Sequence, residues 1–151
     1  MSMDIVINLV DVLPEDIHFE LLEASIREGF SPIQWLIDHW QEGKNGFSLP
    51  GEAFYEARIN GHLVGVCGIN RDPYADGRSR AGRIRRLYVL PEYRWKGVGR
   101  KLVLNAVEDA HSHFAEANLR TFDQDSAKFF ESIGFTGIEG DPNRTHRIAI
   151  E

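Results

Sequence analysis

The residues most able to do chemistry stand together in Arg94-Trp95-Lys96-Gly97-Val98-Gly99-Arg100-Lys101. Gly97 and Gly99 allow positive φ and a close backbone approach to a ligand. A helix is predicted to start near Val98, where its first N–H groups are unpaired and carry a partial positive charge. Arg94, Lys96, Arg100 and Lys101 add full charges. The combination suits a phosphorylated ligand. Just upstream, Ile84 to Leu90 reads as a strand that stops at Pro91, so the turn joins a strand to a helix.

Other chemistry is poorly represented. Gly77 to Gly82 has the glycine spacing of a nucleotide-binding loop, but Arg83-Ile84 follow where Lys-Ser/Thr is required, which rejects that motif. His111 and His113 are two apart and point to different sides of a helix, and no histidine spacing suggests a metal. The single cysteine, Cys67, sits in an apolar strand and reads as a small buried hydrophobe.

The 151 residues predict one domain over 1–151, with 42% hydrophobic and 26% charged residues, an ordinary globular balance. Net charge is −6, yet Arg71 to Lys101 carries ten basic and three acidic residues, leaving −13 on the other 120. A basic segment in an acidic chain points to a local anionic ligand rather than a nucleic-acid face, and no stacking aromatics interleave it. Met1-Ser2-Met3-Asp4 lacks a basic leader and no apolar run has membrane-spanning length, so the expectation is a cytoplasmic protein with no membrane partner.

These residues need elements to position them. Ile5 to Val10 is predicted as a strand. A helix follows from Pro14-Glu15-Asp16 to Gly29, with Ile17, Leu21, Leu22 and Ile26 on its apolar face. Ser31-Pro32-Ile33-Gln34 has capping-box spacing for a second helix, with Ile33, Leu36, Ile37 and Trp40 inward and Gly43 at its end. Trp35 and His39 lie off that stripe, as rim packing or as a wall of an acceptor pocket. Ala53 to Ile59 and His62 to Ile69 form a hairpin around Asn60-Gly61. Asn70 to Gly82 is a long connection. The helix from Val98 is expected to run to about Ala115, followed by a strand Leu119 to Phe122 and a helix capped by Asp123 or Asp125 and ending before Gly134. Phe135 to Ile138 and Thr145 to Ile150 close the chain. The fold class is α+β, with a mostly antiparallel sheet of six or seven strands, four helices and one parallel pair.

Leu87-Tyr88-Val89-x-Pro91 followed by Arg94-x-x-Gly97-x-Gly99 resembles the acetyl-CoA-binding signature of the GCN5-related N-acetyltransferases (GNAT). Ala127-Lys128-Phe129-Phe130-Glu131-Ser132-Ile133-Gly134-Phe135 is similar to that family's Ala-x-Phe-Tyr-x-x-x-Gly-Phe segment, about 30 residues on. The likeness implies a GNAT-like acyl-CoA N-acyltransferase fold and acetyl-CoA as co-substrate, with no metal. The fourth and fifth strands would splay to admit the pantetheine arm along Leu87, Tyr88 and Val89. The pyrophosphate would rest on amides of Trp95, Lys96, Gly97, Val98, Gly99 and Arg100, beside Arg94. A small-molecule or peptide amine would attack the thioester from the other side of the gap. A homodimer is common in this fold.

Two departures stand out. Phe130 occupies the position of the tyrosine that protonates the leaving thiolate, and Gln124 that of an asparagine near the pantetheine. Arg83 and Arg85 stand where relatives place a general base, and arginine stays protonated. Two readings follow for them: binding a carboxylate on the acceptor, or pairing with nearby acids. Asp123 and Tyr88 are the remaining catalytic candidates, with helix capping and packing as the plain alternatives. Two function classes remain: an N-acetyltransferase, or a CoA-binding sensor of the same fold with little catalysis.

Overall fold

The computed structural model describes residues 4–76 and 79–150. Met1 to Met3, Gly77 at the head of the rejected loop, and Arg78 of the basic segment lie outside the described residues. A mixed seven-stranded sheet runs in the order β1-β2-β3-β4-β5-β7-β6. Its strands are β1 (Ile5–Val10), β2 (Ala53–Ile59), β3 (His62–Arg71), β4 (Ala81–Val89), β5 (Glu116–Leu119), β6 (Thr136–Gly137) and β7 (His146–Ala149). Four helices flank it: α1 (Glu23–Arg27), α2 (Pro32–Gln41), α3 (Val98–Asp109) and α4 (Gln124–Ile133).

The two faces of the sheet carry different layers. On β2, Tyr55 sends its hydroxyl to Asp109 of α3, while its neighbour Phe54 meets Trp40 of α2 edge-on. Adjacent strand residues point to opposite faces, so α3 lies on one face and α2 on the other. Ile33, Leu36 and Ile37 bury the predicted stripe of α2. Asn60 and Gly61 both take positive φ, as a tight hairpin turn requires. The chain after α2 folds back over the α2 face. There the Phe47 ring fills the space a Cβ on Gly68 would need, and Asn45 and Asn70 exchange amide hydrogen bonds.

Several local expectations shift. A π-helical turn, His18–Leu22, precedes α1 and adds a residue to the spacing. The buried face therefore moves from Ile17 and Leu21 to Ala24 and Ser25, and Ile26 turns outward. The Ser31 side chain makes no cap; Gln34 bonds Asp38 instead. The long helix stops at Asp109, and a 3₁₀ turn, Ala110–Ser112, swings Phe114 beneath Gly51 and Gly82. β5 starts earlier than expected because Ala117 and Leu119 face the core, while Phe122 is exposed. The closing strands are shorter than the hydrophobic pattern suggests.

Candidate functional site

β4 and β5 run parallel but pair only at Ala81–Glu116, Gly82–Ala117 and Arg83–Asn118. β4 then continues from Ile84 to Val89 with no β5 partner. The sheet therefore opens between two neighbouring strands, leaving backbone groups along one edge of β4 available to an extended ligand. On the β3 side, Val66 pairs with Tyr88 and Gly68 with Arg85, so Cys67 alone faces both Arg86 and Leu87. This is a β-bulge, and Arg86 takes a φ of 60° within it. The extra residue keeps Arg85 and Tyr88, three apart, on the same face of the strand.

The glycine turn stands at the end of the open stretch. A 3₁₀ turn, Pro91–Tyr93, leads into it, and Trp95 and Gly97 both have positive φ, at 65° and 90°. Gly97 immediately precedes α3, and nothing lies within 4 Å of where its Cβ would be. The turn is thus open toward solvent at a helix start, and Lys96 and Lys101 are exposed there. A pyrophosphate fits that arrangement. Gly99 has another purpose than the one its spacing suggests. It is already helical, and a Cβ there would stand 3.0 Å from the Phe129 ring of α4. Arg100 donates to the Ser132 carbonyl, tying the same two helices together.

Arg94 is held rather than free. Its Nη1 and Nη2 donate to the two Glu28 oxygens at 2.8 Å each, and its Nε donates to the Val89 carbonyl at 2.9 Å. Tyr88 donates its hydroxyl to the same carboxylate at 2.6 Å. The Arg94 hydrogen bond holds the Glu28 carboxyl below its ordinary pKa against the opposing effect of burial, and Tyr88 reinforces it. Burial raises the Tyr88 phenol well above its usual value, and Glu28 raises it further. Tyr88 is therefore a fixed neutral donor and not a base. Glu28, absent from the sequence expectations, braces the glycine turn through Arg94 from the far end of α1. A lone acid before Gly29 gives no sequence signal of that contact.

The arginines of β4 have separate settings. Arg83 is 7% exposed, lies 3.7 Å from Asp72, and stacks over Tyr74. Its Nη1 has no hydrogen-bond partner. Burial lowers its pKa, Asp72 opposes that, and Arg85 and Arg120 push it down again. Arg86 lies over the exposed Trp35 ring at 5.9 Å, so Trp35 faces the bulge. Asp123 caps α4, accepting from the Ser126 amide at 2.8 Å and the Ser126 hydroxyl at 3.0 Å. Gln124, Asp123 and Thr121 line a groove of about 610 Å³ beside α4. Phe130 is buried against Phe129 and Phe135 and has no proton to give. Burial alone pushes the Cys67 thiol up to about 12, which makes it inert near neutrality. Among the described residues no group of three His, Cys, Asp or Glu side chains could hold a metal, and no helix is long and apolar enough to cross a membrane.

A mixed sheet that parts between parallel strands, with a glycine turn and a helix start at the parting, defines an acyl-CoA N-acyltransferase architecture. Residues 16–135 match the Acetyltransferase (GNAT) family, and the chain belongs to that family. It is similar to the uncharacterized N-acetyltransferase YjgM of Escherichia coli (strain K12), 32% identical over 96 residues. That match takes in 62% of this chain and 56% of YjgM, so the chain spans little more than half of this curated relative. A crystal structure of a candidate acetyltransferase from Exiguobacterium sp. 255-15 superposes with a TM-score of 0.84 at 27% identity, over 97% of this chain and 94% of that one. The GNAT family N-acetyltransferase YhbS from Escherichia coli, solved with CoA, matches at 0.71 and 14% identity, over 100% and 84% of the two chains. YncA from Salmonella typhimurium, solved with acetyl-CoA, matches at 0.70 and 16%, over 97% and 94%. The last two share the fold.

Proposed function

We propose that this protein transfers an acetyl group from acetyl-CoA to a primary amine on a small molecule or peptide. One observation carries the reading: β4 leaves β5 after Arg83, and the open edge runs directly into the Gly97 turn and the start of α3. The pantetheine would lie along Leu87 to Val89, near Gln124. The pyrophosphate would take amides from Trp95 to Arg100. A neighbour of the same fold solved with CoA supports CoA as the ligand.

Acetyl-CoA supplies a thioester whose carbonyl carbon accepts the amine lone pair. The new C–N bond forms as the C–S bond breaks. A backbone N–H of β4 beside the Arg86 bulge is the donor proposed to polarise the carbonyl; removing one such donor typically costs 10²–10³ in rate. Tyr88 holds its proton and Asp123 is engaged in capping, so water takes the proton from the amine. Phe130 offers no acid, so water also protonates the CoA thiolate, a fair leaving group with a thiol pKa of about 8.5. An unpaired, buried Cys67 suits a reducing, cytoplasmic setting.

The buried Phe130 ring favours one second reading, a CoA-binding sensor with little catalysis. Release of free CoA thiol from acetyl-CoA separates the two. Amine-stimulated release supports transfer; CoA binding without stimulation across a broad amine panel supports the sensor.

A further inference from the structure

We infer that Arg85 and Arg120 face each other across the mouth of the β4–β5 splay and together bind a carboxylate on the acceptor. The inference rests on the acetyl-transfer reading for its geometry and adds a substrate class. The parallel register pairs Arg83 with Asn118. Beyond that pair the strands part, so Arg85 and Arg120, each two residues on, stand on the two sides of the opening, at the first position of this face beyond the pairing. Residues two apart on a strand share a face. Arg83 and Asn118 share theirs because both reach Asp72, at 3.7 and 2.8 Å. Arg120 lies one residue past β5 and also stacks over Phe122 at 5.0 Å.

The charges on this face are unbalanced. Asp72 is taken by Arg83, Asn118 and the Tyr74 amide. Glu116 pairs with Arg144 and Arg147, and Asp141 with Arg144. Elsewhere Arg58 and Arg94 have carboxylate partners too. Among the described residues Arg85 and Arg120 have none within ion-pair distance. Arg83, behind them, keeps a buried Nη1 with no hydrogen-bond partner. Arg85 is half-buried and Arg120 exposed, and two cations on either side of one opening favour an anion between them. Trp35 and Arg86 from the α2 side would wall the rest of the acceptor. A small amino acid or a peptide-like acid with a free amine fits this site.

The test compares acceptors that differ in one carboxylate, L-alanine against its α-carboxamide, read as thiol release with rates referred to the free-amine concentration at each pH. The wild type should prefer the acid. Arg85→Gln and Arg120→Gln should each raise KM for the acid on the order of 10- to 100-fold, the usual worth of a charged hydrogen bond. The amide should change less than about twofold, and Lys at either site should restore part of the preference. Turnover without preference, or equal loss on acid and amide, overturns the carboxylate site and leaves acetyl transfer standing. A second measurement holds if no amine is acetylated. Succinate, at matched ionic strength, should raise the Tm of the CoA-saturated wild type but of neither variant. That result with no turnover would sink the transfer reading and keep the anion site; absence of a succinate shift in the wild type would sink the anion site.

Discussion

The two halves of the segment from Arg83 to Lys101 behave differently. The second half, the turn into α3, is fixed by backbone: two positive-φ residues, a helix start and a glycine pressed against Phe129. Its chemistry needs little from particular side chains, and Arg94, the most conspicuous of them, is spent on Glu28. The first half, from Arg83 to Tyr88, is fixed by a bulge and a strand divergence, and its chemistry lies in side chains from three elements. A phosphate cradle can be written in consecutive residues. An acceptor site has to be assembled across the sheet.

The largest effect that would test this contrast is pH. With neither Tyr88 nor Asp123 set up as a base, the reactive species is free neutral amine. For an alkylamine with a pKa of about 10, kcat/KM should climb about 100-fold from about pH 7 to about pH 9, close to tenfold per unit. A plateau near neutrality, from pH–rate profiles, would reveal a base on the acceptor side. Next in size is Gly99→Leu. A side chain meeting Phe129 at 3.0 Å from its first carbon must push α3 from α4. We expect CoA affinity to fall on the order of tenfold or more, with a loss of about 1–3 kcal/mol in stability from overpacking; titration calorimetry and urea melts would read both.

Glu28→Gln should act more weakly. It removes the carboxylate that braces Arg94 and Tyr88, and a partly exposed pair of this kind is worth about 1 kcal/mol or less. CoA affinity should fall only a few-fold. The sign with pH is definite. The folded pKa of Glu28 is depressed from 4.5, so its stabilisation is present above that value and is lost as pH falls through the folded pKa. Melting temperatures of the variant should fall less steeply on the acid side than those of the wild type. Smallest in its effect on function is Cys67→Ala: no change in acetyl transfer, because the thiol is buried and inert, beside a loss of about 1–2 kcal/mol of stability. Loss of turnover would point to an acyl-cysteine and overturn direct attack.

How much of this was legible in the sequence follows the same division. The Asn60-Gly61 hairpin, the α2 stripe and the strand–turn–helix at Gly97 are local patterns, and the structure has them. The π-turn before α1 was not legible, since an inserted residue breaks the 3.6 periodicity that carries the signal. Nor was the end of α3: Phe114 keeps the helical spacing of apolar residues yet reaches the core from a 3₁₀ turn. The strand expected at Leu119 to Phe122 lies instead at Glu116–Leu119, with Phe122 exposed, because pairing with β4 and β7 decides its bounds. In the site, Arg83 and Arg85 look equivalent as sequence. Burial beside Asp72 and Tyr74 separates them. Glu28 acts through a contact 66 positions away, and Arg120 is set across the opening from Arg85, 35 positions away; only the packing of α1 and the parting of β4 from β5 place them so.

The central claim is that one strand serves two ligands with separable residues, cofactor at its end and acceptor at its bulge. Titrating CoA into the wild type, Gly99→Leu and Arg85→Gln by calorimetry addresses it most directly. We expect Arg85→Gln to bind CoA as the wild type does, within about twofold, and Gly99→Leu to bind on the order of tenfold more weakly or worse. Equal loss of CoA affinity in both variants would contradict the division.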